Sequence, residues 1–328
     1  MKVLIASPRS SSMSSILQNM IPDDIQIIVP ETGTEEELIQ LVTDVDVVVC
    51  VSLSKQVAKA AKKLKLVQKT GAGVDAIPFE VLRNEVFVAN TSGANPVPLA
   101  EGAVALVLAL AKQINRRHKL FPQGDNTTRR GIELRGKNAG IIGLGHIGTE
   151  VARRLKAFEM NVLATKRHHK EALKTQLSID FLGGPSDLDH LLRESDFVII
   201  TVPSTPETRG MIGERQLRLM KSTAYIVNVA RAAIIQEEPL YRALKEGWIA
   251  GAAIDVWWPP HWWDPVWNPA GLTPKYPIWK LPNVIATPHN IGSTDTPVDT
   301  GIRIIAENIC RVAKGKPPIN QVDKTLQY

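Results

Sequence analysis

The stretch that most constrains this chain covers residues 138–155. Residues 139–142 form an apolar run of strand length, and Gly143, Gly145 and Gly148 follow it in GxGxxG spacing. Beyond the second glycine, Ile147, Val151, Leu155 and Phe158 recur at helical intervals. Strand, glycine turn and helix in that order make GxGxxG a dinucleotide fingerprint rather than a glycine-rich hairpin. Each glycine has its own task. Gly143 permits the tight turn, Gly145 lets the backbone approach a pyrophosphate, and Gly148 lets the helix pack close to the strand. The N–H groups of His146, Ile147 and Gly148 then face the phosphates, helped by the helix dipole.

The rest of the chain alternates in the same way. After the motif, apolar runs at 161–165, 197–202, 224–229, 249–256 and 283–286 are joined by helical stretches. With the run at 139–142 these six strands match a doubly wound dinucleotide domain. Before the motif, short apolar strands at 3–7, 25–29, 45–51, 66–70 and 86–90 alternate with helical stretches at 35–42, 56–63 and 78–83. That is a second βα series, hence a second parallel sheet. No GxGxxG follows any of its strands, so it is not the dinucleotide site. Asn95-Pro-Val-Pro98 interrupts the pattern, a long helix is expected over 99–118, and a polar connecting loop over 121–137. A last amphipathic helix, 299–314, carries Ile302, Ile305, Ile309 and Val312 and is expected to return to the first domain.

The expected fold class is therefore α/β, with two doubly wound parallel-sheet domains. One comprises residues 1–98 plus 290–328, the other residues 99–289, and the cleft between them is the expected ligand site. A length of 328 residues agrees with about two domains of ~150 residues. No apolar run approaches the ~18 residues of a membrane span, and Met1-Lys2-Val3-Leu4 enters a strand rather than a signal peptide. The two cysteines, Cys50 and Cys310, read as free thiols in a reducing compartment, so a cytoplasmic location is expected. The net charge of +6 is scattered, without interleaved aromatics. Solvated faces and an anionic ligand account for it better than nucleic acid does. No membrane, nucleic acid or metal is expected as a partner.

Three loops at strand ends hold the candidate chemistry. A dinucleotide domain usually places a carboxylate ~20 residues beyond the glycines, on the ribose 2′-OH of NAD. Here Thr165 is followed by Lys166 and Arg167, and no carboxylate comes before Glu171. Cations there suit a 2′-phosphate, and Arg167 can hold it through two nitrogens, so NADP(H) is expected over NAD(H). The other reading is a basic solvated turn. Arg231 ends the segment Asn228-Val-Ala-Arg231, where its guanidinium suits a carboxylate held in two places; a salt bridge to a neighbouring helix is the alternative. His289, in Ala286-Thr-Pro-His289, emerges from the last strand and suits proton donation near neutral pH; a structural histidine is the alternative. Asp255, ending its own strand, is placed to meet a nicotinamide carboxamide.

These segments resemble the D-isomer-specific 2-hydroxyacid dehydrogenase family over essentially the whole chain. The matching text is Gly140-Ile-Ile-Gly-Leu-Gly-His-Ile-Gly148, Val202-Pro-Ser-Thr-Pro-Glu-Thr-Arg-Gly210, Ile226-Val-Asn-Val-Ala-Arg-Ala-Ala233, Leu244-Lys-Glu-Gly-Trp-Ile-Ala-Gly-Ala-Ala-Ile-Asp-Val256 and Leu281-Pro-Asn-Val-Ile-Ala-Thr-Pro-His289. The resemblance implies a flavodoxin-like substrate domain and a Rossmann cofactor domain. It implies that Arg231 binds the carboxylate and carbonyl of a 2-keto acid and that His289 is the acid/base. It assigns cofactor contacts to Val202, Pro203, Thr208, Val229 and Ala230. Lys69-Thr-Gly-Ala-Gly-Val-Asp75 resembles the substrate loop, which points to the Ala72 and Gly73 amides. Thr165-Lys-Arg167 is similar to the cofactor loop of NADPH-dependent glyoxylate/hydroxypyruvate reductases. A homodimer is implied as well.

One departure stands out. Most members carry a Glu five residues after the Asp corresponding to Asp255, paired with the catalytic His; here that place is Pro260. Asp264 or His261 could take over, or His289 has no such partner. The Trp-rich stretch 257–279 looks longer than the family norm, and it either lines a pocket for a bulky apolar substrate or packs a domain edge or subunit interface. Two other functions stay open. One is a dinucleotide-sensing regulator without turnover; the other is a dehydrogenase of a small donor such as formate or phosphite.

Overall fold

The computed structural model describes residues 1–7, 10–124, 130–168, 171–260, 273–294 and 299–328. The chain forms two compact units, Met1–Asn95 with Asp295–Tyr328, and Pro96–Thr294.

The first unit is built on β1 (Lys2–Ala6), β2 (Gln26–Ile28), β3 (Val47–Cys50), β4 (Leu66–Lys69) and β5 (Phe87–Ala89), in the order β2-β1-β3-β4-β5. Every pairing is parallel. This is the flavodoxin-like order. Val47 to Cys50 are buried without alternation, as expected of a strand covered on both faces. The helix Asp299–Ala313 adds Ile302, Ile305 and Ile309 to a core that also holds Val3, Ile5 and Leu66. Its Asn308 is fully buried and donates to Gln68 Oε1 at 2.7 Å, while Ile319 N donates back to Asn308 Oδ1 at 2.7 Å. Both cysteines are free; Cys50 is buried, which pushes its thiol up to about 11, and Cys310 is only half-buried.

The second unit carries β6 (Asn138–Ile142), β7 (Asn161–Thr165), β8 (Phe181–Gly183), β9 (Phe197–Ile200), β10 (Tyr225–Asn228), β11 (Gly251–Ile254) and β12 (Val284–Ala286). Their order is β12-β11-β10-β9-β6-β7-β8, parallel throughout. The direction of winding reverses between β6 and β9, the switch point at which such sheets bind ligands beyond their carboxyl ends. One face packs on the helix Pro96–Ala111, the other on a cluster that includes Trp257. Seven strands stand where six were expected. The extra one, β8, has three residues and ends in Gly183, too short for a periodic signal.

The expected helix over 99–118 is two helices, Pro96–Ala111 and Ile114–Leu120, broken where Gln113 takes a left-handed conformation at φ 54°. The first begins on Pro96 itself, a residue suited to a helix's first turn. No single helix among the described residues is long and apolar enough to cross a membrane. Pro96–Ala111 owes its apolarity to burial, with Ala100, Ala103 and Val107 fully covered. The stretch expected as a helix at 78–83 is a single 3-10 turn, Phe79–Val81. The helix Ser10–Gln18 was not expected, because its serine-rich sequence lacks a strong apolar stripe.

Candidate active site

The glycine turn sits between β6 and the helix His146–Ala157, and the structure separates the three glycines by what surrounds them. Gly143 has φ +101°, and a Cβ there would lie 2.6 Å from Val202 Cγ1. A Cβ on Gly148 would run into the Gly143 carbonyl oxygen. These two are glycine because the protein's own atoms crowd them. A Cβ on Gly145 would meet nothing within 4 Å. No packing among the described residues demands glycine there, so the open space fits a ligand coming close to the backbone. Gly145 caps the helix without a side-chain bond, which leaves the first helical N–H groups, those of His146, Ile147 and Gly148, directed outward. A groove of about 410 Å³ adjoins the turn, lined by Leu144, Gly145, His146, Thr149, Arg153 and Lys166 among others. The residues present therefore fit a dinucleotide pyrophosphate.

Thr201, just after β9, holds this turn from the side. Its hydroxyl donates to Gly143 O at 2.6 Å. Sequence reading missed it, because the contact depends on β9 lying beside β6. Lys166 Nζ donates to Leu144 O at 2.8 Å, so its ammonium is folded back on the glycine turn. Arg167 Nη2 is ion-paired with Glu207 Oε2, from the loop after β9. The same loop is braced by Thr208, whose hydroxyl donates to Pro203 O at 2.6 Å and accepts from Thr205 N at 2.8 Å. Val202, behind Gly143, is half-buried, and Pro203 is exposed.

Arg231 and His289 lie beyond the carboxyl ends of β10 and β12, with β11 between them. Parallel strands put the ends of β10 and β12 on one edge of the sheet, two strand spacings or about 10 Å apart. Each sits on a turn held by a buried polar side chain. Asn228, fully buried at the end of β10, accepts from Ala230 N through Oδ1 at 3.0 Å and donates from Nδ2 to Arg231 O at 3.0 Å. This fixes the turn through Val229 and Ala230, and Arg231 Nη1 donates to Ala230 O at 2.7 Å. Asp255 follows β11 and is 1% exposed. Its Oδ1 accepts from Thr287 Oγ1 at 2.6 Å, Asn290 N at 3.1 Å and Ile291 N at 3.4 Å. Trp257 Nε1 donates to Thr287 O at 2.8 Å from the other side.

Asp255, expected to meet the nicotinamide carboxamide, braces the neighbouring turn in this geometry. The carboxylate is enclosed and engaged by the turn that carries His289. Burial pushes its pKa above the usual carboxylate range, with the Thr287 hydroxyl and the amides of Ile291, Asn290 and His289 opposing the shift. His289 itself is half-buried and has φ 55°, the left-handed region, where a non-glycine residue stays only if its surroundings hold it. Asp255 N donates to Asn228 O at 3.1 Å, so one chain of hydrogen bonds links the Arg231 turn to the His289 turn. The sequence names Asn228 and Asp255 but not this coupling, which depends on strand register.

Pro260 is exposed, and the candidates for its missing carboxylate, His261 and Asp264, lie outside the described residues, as does most of the Trp-rich stretch. Of the tryptophans that are described there, Trp257 is buried and meets Trp279 edge-on at 6.2 Å, and Trp258 and Trp279 pack on the same core. In the first unit, Ala72 is exposed and Gly73 half-buried, in a loop closed by Asn90 Nδ2 donating to Ala72 O at 2.9 Å.

Comparison with known proteins agrees with this architecture. Residues 104–290 match the family model described as "D-isomer specific 2-hydroxyacid dehydrogenase, NAD binding domain". The chain is 38% identical to a D-3-phosphoglycerate dehydrogenase of Archaeoglobus fulgidus over 98% of its own length, but spans only 59% of that relative. It is 34% identical to a glyoxylate reductase of Pyrococcus furiosus, covering 94% of this chain and 92% of the relative. Among solved structures, an acyclic imino acid reductase in complex with NADPH and D-Arg superposes with a TM-score of 0.80 at 25% identity, over 98% of this chain and 100% of that one. Matched by that family model over more than half its length, and by full-length relatives, the chain belongs to the D-isomer specific 2-hydroxyacid dehydrogenase family.

Proposed function

We propose that the protein reduces a 2-keto acid to the 2-hydroxy acid with NADP(H), and catalyses the reverse oxidation with the same groups. The observation that carries this reading is the placement of Arg231 and His289 after strands that end on one edge of the sheet, each on a turn braced by a buried polar side chain. Arg231 holds the substrate carboxylate through its guanidinium fork. His289, protonated, gives its proton to the carbonyl oxygen as the adjacent carbon is reduced. When bound, the nicotinamide supplies the hydride; the chain's part is to orient the reactants and exclude water. Gly143, Gly145 and the amides of His146, Ile147 and Gly148 hold the pyrophosphate. Val202, Pro203, Thr208, Val229, Ala230 and Asp255 complete the cofactor contacts, and Arg167, with Lys166, selects the 2′-phosphate. Ala72 and Gly73 add amides for the carboxylate on the strength of the family resemblance. The domain roles (substrate for 1–98 with 290–328, cofactor for 99–289), a homodimer and a cytoplasmic location belong to the same proposal.

The test is a panel of glyoxylate, hydroxypyruvate, pyruvate, 2-ketoisocaproate and phenylpyruvate with NADPH and NADH. At least one acid should be reduced, with kcat/KM higher for NADPH. Arg231→Gln and His289→Asn should each cost about a hundredfold or more in kcat/KM. No turnover with any acid, together with clear thermal stabilisation by the cofactor, would instead favour the sensing regulator.

A further inference from the structure

In the sheet, β7 and β9 flank β6, so the loops after β7 and β9 stand on either side of the glycine turn. Arg167 comes from the first loop and Glu207 from the second, and an ion pair joins the two loops. The Arg167 side chain is 28% exposed and that of Glu207 63%. Glu207 stands on a braced tip, since Thr208 ties back to Pro203 and Thr205. The chain lacks a carboxylate after β7, at the place where one usually meets a ribose 2′-OH. Tertiary structure delivers one there from β9.

A carboxylate on Arg167 and a 2′-phosphate are rival anions for one guanidinium. Exposed ion pairs are weak, whereas a phosphate dianion can take the fork through two oxygens. We propose that Glu207 is the residue that sets the strength of the cofactor preference: it occupies Arg167 until a 2′-phosphate displaces it. The inference rests on the NADP(H) reading above. Glu207 lowers the affinity for the phosphorylated dinucleotide and has less influence on NADH, which brings no rival charge.

Calorimetric titration of NADPH and NADH into the wild type, Glu207→Gln, Arg167→Gln and the double variant tests this. Glu207→Gln should tighten NADPH by about two- to fivefold, the scale of an exposed ion pair, with a smaller change for NADH. In the Arg167→Gln background the same substitution should give no tightening, because its target is gone. If Arg167→Gln does not weaken NADPH relative to NADH, the NADP(H) reading itself fails and the inference goes with it. If Arg167→Gln does weaken NADPH, yet Glu207→Gln leaves NADPH unmoved, weakens it, or tightens both cofactors equally, the inference alone is overturned. Glu207→Ala, with its own thermal melt, checks that any change is not a folding effect.

Discussion

A methyl group added at Gly145 and one added at Gly148 would meet different fates. At Gly148 it meets the Gly143 carbonyl, which is backbone and cannot swing aside. Overpacking of this kind costs ~1–3 kcal/mol, so Gly148→Ala should lower the melting temperature by several degrees. At Gly145 the methyl meets nothing within 4 Å. Gly145→Ala should leave stability within ~0.5 kcal/mol while weakening NADPH by about tenfold. Melting curves and cofactor titration separate the two, and unimpaired NADPH binding by Gly145→Ala would mean that no pyrophosphate crosses there. Asp255 allows a similar separation. One of its oxygens, Oδ1, accepts from Thr287, Asn290 and Ile291. Asparagine keeps a carbonyl oxygen for them; leucine removes every acceptor and leaves buried donors unsatisfied at ~1–3 kcal/mol each. Asp255→Asn should therefore keep slow hydrogen exchange at the Asn290 and Ile291 amides, and kcat/KM within about tenfold of wild type. Asp255→Leu should lose both. Equal damage from the two substitutions would show that the charge, not the brace, is what matters.

At the scale of elements, Glu37 links a loop to a helix. The helix Glu35–Leu41 is capped by Thr34, whose side chain accepts from Glu37 N. The Glu37 carboxylate reaches back to the Thr32 hydroxyl and to the amides of Glu31, Thr32 and Gly33, at 2.6 to 2.9 Å. The Thr32 hydroxyl first, and then the Glu31 amide, hold its pKa down to about 2. The unfolded chain titrates this group near ~4.3. Its stabilising effect is therefore complete above that pH and is lost as pH falls toward about 2. At pH ~3.5 the Glu37 carboxyl carbon should still report an ionised group by NMR, when ordinary glutamates are mostly protonated; a protonated Glu37 there would refute the cap. Elements of this kind explain what the sequence made legible. Strands covered on both faces, such as β3 and β9, are visible as unbroken apolar runs. The glycine turn is visible from its spacing, and Arg231 and His289 from their places after strands. Thr201, Glu207 and the bracing by Asp255 were not legible, because each contact joins loops that only the strand order β12-β11-β10-β9-β6-β7 brings side by side. β8 escaped notice because three residues carry no period.

The whole molecule differs in how its two units depend on chain continuity. Pro96–Thr294 is one uninterrupted segment with its own seven-stranded sheet and a core on each face. The first unit is assembled from two segments, and the later one supplies Ile302, Ile305, Ile309 and Val312 to the core. Fully burying four such side chains is worth ~6–12 kcal/mol, which is comparable to the ~5–15 kcal/mol net stability of a whole domain. The buried Asn308–Gln68 bond and the Val322 N to Val88 O bond at 2.8 Å add further ties. Residues 1–95 alone should thus remain unfolded, with only the entropy of chain collapse working against them and too little core to offset it. The fragment 96–294 should unfold cooperatively and still bind NADPH, because every residue assigned to the cofactor lies within it. Circular dichroism melts and cofactor titration on the two fragments check both halves of the argument. A cooperative melt for 1–95 would show that the C-terminal helix is an accessory to that core rather than part of it. Loss of NADPH binding by a folded 96–294 would mean that the first unit supplies cofactor contacts that its sequence does not announce.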